Sequence, residues 1–182
     1  MLLLLSGVGE DAMNRYIKGT TCPLFLSLTL AGVSQAKEWR GIVPLHSSRA
    51  DVHKILGEPT INEGNVIEGF DIDGVRVLVM YSRTRCQRGL PADWGNWNVP
   101  PGTVVDIRVP FAGDARLAEL KIPDIEKYKW YADDSGATYY HDKKEGLRYS
   151  VNRLGFVDSI TYGPTEADLK LLCKKDAPVI RY

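Results

Sequence analysis

The chain has no surplus of either charge: 23 Lys and Arg stand against 23 Asp and Glu in 182 residues. A nucleic-acid binder shows a basic excess, and a membrane-surface helix shows a basic amphipathic face. Neither partner is therefore expected. Histidine is scarce. His46, His53 and His141 are the only three, they do not fall at i and i+4 on one helix, and no CxxC accompanies them, so no zinc site is expected. A G-x-S-x-G elbow and an HExxH helix are both missing, and Gly7-Val8-Gly9 makes no phosphate loop. No cofactor is expected. No helix in the mature chain carries the roughly 20 apolar residues that cross a bilayer.

Cysteine is nearly absent too, with three in the chain, and their placement is informative. Cys22 lies in a leader-like segment. Met13, Arg15 and Lys18 form a positive start, Pro23 to Val33 is an apolar run, and Ser34-Gln35-Ala36 offers small residues where a signal peptidase reads. Residues 1–36 are expected to be a leader, with the mature chain starting near Lys37. The first twelve residues, MLLLLSGVGEDA, put apolar and acidic residues ahead of the basic ones, which points to Met13 as the start. Export to the periplasm or the medium follows. Cys86 and Cys173 then remain as an even pair in an oxidising compartment, and a bridge between them is expected against the alternative of two separate buried thiols.

Residues 37–182 read as one α+β domain, an antiparallel β-sheet with short packing helices, compatible with two helix–sheet units. Ser48-Arg49-Ala50-Asp51 resembles a capping box, and Val52, Ile55 and Leu56 form one apolar stripe ahead of Gly57 and Pro59. Strands are expected over 65–72, 75–82, 103–111, 137–141, 147–153 and 156–162. Asp73-Gly74 is a two-residue hairpin turn. In 103–111, Val104, Asp106 and Arg108 would share one face, and Val105, Ile107 and Val109 the other. Residues 117–125 are ambiguous. Thr165 to Asp168 cap a last helix behind Pro164. Turns this short cannot make parallel crossovers.

Three segments are candidates for binding. The loop 83–102 carries Trp94 and Trp97 with Arg83, Arg85 and Arg88 before them. Trp and Arg dominate interface hot spots, so Arg85, Arg88, Trp94 and Trp97 form a candidate surface for a protein or a glycan. In the bland alternative both tryptophans fold back and plug the sheet. Tyr128, Trp130, Tyr131, Tyr139 and Tyr140 lie near Lys127, Lys129, Lys143 and Lys144, a mixture that can stack on glycans or single strands; strand alternation more simply divides them between core and surface. Asp71-Ile72-Asp73-Gly74 lacks the closing Glu of a calcium loop and reads as a turn, as does Asp133-Asp134-Ser135-Gly136.

The stretch Leu45 to Pro59, LHSSRADVHKILGEP, resembles the short helix ending in lxxLGxP that opens small outer-membrane assembly lipoproteins of the SmpA/OmlA type. The β-lactamase-inhibitor-like fold shares the helix-then-hairpin plan. The resemblance implies helices packed on an antiparallel sheet and a role in binding other proteins. It carries over no individual site residue. The chain departs from the lipoproteins because Cys22 precedes the apolar run instead of following it, so no lipid anchor is implied. An exported protein-binding or envelope-associated module, with another envelope or secreted protein as partner, is the expected function. A secreted hydrolase using His46, His53 or His141 is the alternative.

Overall fold

A computed structural model describes residues 37–86, 96–122, 124–125 and 128–173. These fall within one compact unit, Gly32–Tyr182. The expected leader, together with Arg88 and Trp94, lies outside the described residues. Among those described, no helix is long and apolar enough to cross a membrane.

Helix α1 spans Arg49–Leu56 and is held at both ends by its own sequence. Ser48 Oγ accepts from the Asp51 amide at 3.2 Å, and the Asp51 carboxylate accepts from the Ser48 amide at 2.8 Å. The two bonds satisfy orphan donors of the first turn. Gly57 ends the helix at φ +85°, its N–H bonded to the His53 carbonyl. Eight residues are too few to be helical alone in water, so burial of Val52, fully enclosed, has to hold α1 on the sheet.

That sheet has eight strands: β1 Ile61–Glu63, β2 Ile67–Ile72, β3 Val75–Tyr81, β4 Val104–Pro110, β5 Lys129–Ala132, β6 Thr138–Asp142, β7 Leu147–Val151 and β8 Val157–Tyr162. Their spatial order is β1-β2-β3-β4-β8-β7-β6-β5, and every neighbouring pair is antiparallel. Two four-stranded meanders thus meet at the β4·β8 pair. Asp73 and Gly74 both take positive φ, +50° and +81°, as the tight β2–β3 turn demands.

The core lies between α1 and the first meander. Val52, Ile42, Phe70, Val77, Val79, Tyr81, Val104 and Ile107 form it. Each such aliphatic contributes about 1.5–3 kcal/mol on full burial. The alternation expected along β4 breaks at one place. Met80 pairs with Asp106 but Tyr81 pairs with Val104, so Val105 is an extra residue in β4. This bulge turns Val104 to the α1 side beside Ile107. Val105 instead joins a second cluster with Leu45, Trp97 and Val99.

The helices of the second half are short. Leu117–Leu120 and Glu166–Leu171 are 3-10 turns. At the start of the latter, the Thr165 amide and hydroxyl both donate to Asp168 Oδ2, at 2.9 and 2.8 Å. The helix expected there is cut off because Leu172 goes extended to bridge with Trp97.

Candidate functional site

Pairing register sorts the side chains of the sheet into two faces. One carries the core under α1. On the other, a cross-strand row runs Leu78 on β3, Arg108 on β4, Thr161 on β8, Arg148 on β7 and His141 on β6. A parallel row holds Ser159 on β8, Ser150 on β7, Tyr139 on β6 and Tyr131 on β5. The third row brings Met80 beside Asp106. This face has no α-helix over it among the described residues.

One end of it is closed by the segment carrying Trp97 and by the chain after β8. Cys86 and Cys173 form a disulfide across 87 residues of sequence. Around it the Cys86 amide donates to the Trp97 carbonyl, the Cys173 amide to the Asn96 carbonyl and the Asn98 amide to the Leu171 carbonyl. The two segments are therefore stitched as a small ribbon. Trp97 is 4 % exposed and packs with Leu45, Val99 and Val105. The expectation of a contact residue is corrected for Trp97: it plugs the end of the sheet, since a large apolar side chain gains more by displacing water from this gap than by lying outside it. Arg85 is exposed beside the bridge. Trp94 and Arg88 lie outside the described residues.

Between this ribbon and the sheet is a cleft of about 140 Å³, lined among others by Trp97, Asp106, Arg148, Thr161, His141 and Leu169. Its floor is crowded because the chain passes itself closely at Gly146. A Cβ there would stand 2.3 Å from the Gly163 carbonyl oxygen. Only glycine fits, at φ +69°. Burial pushes the Asp106 carboxyl up to about 6, against the opposing pull of Arg148 and then Arg108. Arg108 Nε donates to Ser159 Oγ at 3.2 Å. The Trp97 indole N–H is buried and has no hydrogen-bond partner among the described residues.

The tyrosines divide as strand alternation requires. Tyr131 and Tyr139 stack on the open face, their ring centres 4.8 Å apart, and the Tyr139 hydroxyl donates to Asp133 at 2.9 Å. Asp133 itself accepts from the Ser135 and Ala137 amides, the turn expected there. Tyr149 is buried on the other face and stacks on Tyr128 at 6.4 Å. Burial, and then a hydrogen bond to Asp142, push the Tyr128 phenol up to about 12. These two rings line a broader cleft of about 790 Å³ with Lys37, Lys121, Lys143 and Lys144, and with the carboxylates of Asp124, Asp142, Glu145 and Glu166 interleaved. The two charge sets balance, so this cleft has no sign preference.

The histidines do not meet. His53 Nε2 lies 2.9 Å from the buried Glu68 under α1, and His46 Nε2 lies 3.5 Å from Asp168. Each is a histidine with a carboxylate, and neither has a hydroxyl or thiol partner among the described residues. Those residues also hold no group of three or more His, Cys, Asp or Glu able to bind a metal ion. Sequence reasoning put Asp106 and Arg108 on one face of β4 but missed Arg148, which reaches them only across β8. The available signal was a pair of charges in the middle of a strand whose other face is entirely apolar. No protein-family model, curated protein or solved structure matches the chain.

Proposed function

We propose that this chain is an exported binding module, secreted or envelope-associated, whose partner protein docks on the sheet face opposite α1. The observation that carries the reading is the composition of that face. Arg76, Arg108 and Arg148 share it with Leu78, Met80 and the stacked Tyr131 and Tyr139. Arg, Met and Tyr are the side chains enriched where proteins meet. The Cys86–Cys173 bridge supports export, because such bonds persist in oxidising compartments. The likeness of Leu45 to Pro59 to the assembly lipoproteins points towards protein binding as well. The symmetric strand order supports reading the sheet as two helix–sheet units, α1 to β4 and Leu117 to β8.

The contact surface thus moves from the Trp-containing loop to the sheet beside it. A photo-cross-linking residue at Arg76 or Tyr131, both exposed on this face, is expected to trap a partner from the envelope or secreted fraction. The same residue at Lys54, on the outer side of α1, is expected to trap none. Equal trapping at Lys54, or none at either face position, rejects the reading. The hydrolase alternative has a histidine–carboxylate pair at His46 and at His53 but, among the described residues, no hydroxyl or thiol bonded to either histidine, so the geometry favours it less.

A further inference from the structure

We propose that the partner presents an acidic segment, and that an aspartate or glutamate side chain of it seats between Arg108 and Arg148 beside Thr161. The proposal rests on the reading of this face as a docking surface and specifies its chemistry. Arg76, elsewhere on the face, is already matched: it holds Asp71 through two bonds, at 2.8 and 3.3 Å. Arg108 and Arg148 are different. Among the described residues neither has a carboxylate within 4 Å. Arg108 gives one N–H to Ser159 and is otherwise exposed. Both pair with Thr161 across β8, so their Cα atoms stand two strand spacings apart, about 10 Å. Guanidinium side chains reach far enough from either side to converge on one carboxylate, and each presents a fork of donors matched to it.

The local charges leave room for an anion. Asp106 interacts with both guanidiniums, a single carboxylate against two cations. Lys143 and Glu166, which also line the cleft, offset one another, and His141 lies at its rim. Since burial disfavours the ionised state of Asp106, it takes up a proton as pH falls toward 6, and the attraction for a carboxylate then rises. Leu78 and Met80 to one side of the arginines, and Tyr131 and Tyr139 to the other, favour a protein chain over a bare anion, because they offer area to bury around the ion pair.

The test uses the full disulfide-bonded chain and a capped hexaglutamate peptide, titrated at about 50 mM salt to limit screening. Saturable binding is expected, with NMR shifts at Thr161 and the Trp97 indole. Arg148→Gln is expected to weaken it about tenfold or more, Arg148→Lys to restore part of the loss and Lys54→Gln to change nothing. Lowering the pH from 7.5 to 6 is expected to tighten binding severalfold, and Asp106→Asn to tighten it at 7.5 and flatten that dependence. Absence of saturable binding, a loss equal in Lys54→Gln, or displacement of the peptide by equimolar inorganic phosphate overturns the proposal. Cross-linking at Arg76 and Tyr131 that persists while hexaglutamate fails rejects the acidic segment and keeps the docking face. Loss of the cross-links rejects the face itself.

Discussion

Glu68 on β2 and His53 on α1 meet at 2.9 Å in a place where the glutamate is 1 % exposed. Arg49, one helical turn before His53, lies 3.2 Å from the second carboxylate oxygen and rests over the Tyr81 ring at 4.5 Å. The i, i+4 spacing on α1 thus aims two cationic or donor side chains at one buried acid. An ionised group so enclosed depends on its partners. Arg49→Ala is expected to cost about 3 kcal/mol, since it strips a buried charge. Adding Glu68→Leu to it is expected to recover much of that loss, because an apolar side chain of similar size needs no counter-charge. Urea unfolding of both variants checks the order; a double variant less stable than Arg49→Ala alone contradicts it.

Trp97 carries an opposed pair of expectations. Its ring fills the gap over Val105, so Trp97→Ala is expected to lose about 3–5 kcal/mol. Its indole N–H has no partner, so Trp97→Phe removes an unsatisfied donor together with part of the ring. That variant is expected to stay within about 1.5 kcal/mol of the native chain. The measurement is the denaturant midpoint of each. Tolerance of Trp97→Ala would return the tryptophan to the surface.

Local signals were readable because local physics decided them. Ser48 with Asp51, Gly57, and Asp73-Gly74 each act through neighbours within four residues, and the structure uses all of them. The long strands β2, β3, β4 and β6 to β8 showed their alternation. Strands β1 and β5 did not, since three or four residues at a sheet edge carry too little pattern to distinguish from a loop. The Val105 bulge was illegible for another reason: only the pairing of β3 with β4 reveals an extra residue. Trp97 needed the far end of the chain, because Leu171, Leu172 and Cys173 make its pocket. The arginine pair needed β8 placed between β4 and β7, a topology that composition does not encode.

The Cys86–Cys173 bond closes a loop of 87 residues that contains five of the eight strands, β4 to β8. Chain-entropy arguments give it about 4–5 kcal/mol of stabilisation. Cys86→Ser with Cys173→Ser is expected to lower stability by up to that amount. The ribbon at Asn96, Asn98 and Leu171 is expected to open first, because the bridge and its backbone bonds join the same two segments. Amide exchange checks this. Protection at Asn98 and Cys173 should fall by more than protection at Val79, in the core. Uniform loss across all three contradicts the local role.

Asp106 gives the chain a pH dependence of unusual sign. An aspartate that gains bonds on folding has a lowered carboxyl and stabilises the fold above its unfolded value. Asp106 is raised by burial, from 3.8 to about 6. Below about 4 it is protonated in both states and contributes no dependence. Between about 4 and 6 the unfolded chain releases its proton first, so stability falls as pH rises through this window and levels off above it. The full shift corresponds to no more than about 3 kcal/mol, and the residual solvent contact of the side chain lowers that figure. Asp106→Asn is expected to abolish this component, making the variant more stable than the native chain at pH 7.5 and no different from it near pH 4. Subtracting the two stability profiles isolates the residue from every other titrating group. A difference that is flat from pH 4 to pH 7.5 would place Asp106 in water, and with it the charge surplus of Arg108 and Arg148 would shrink.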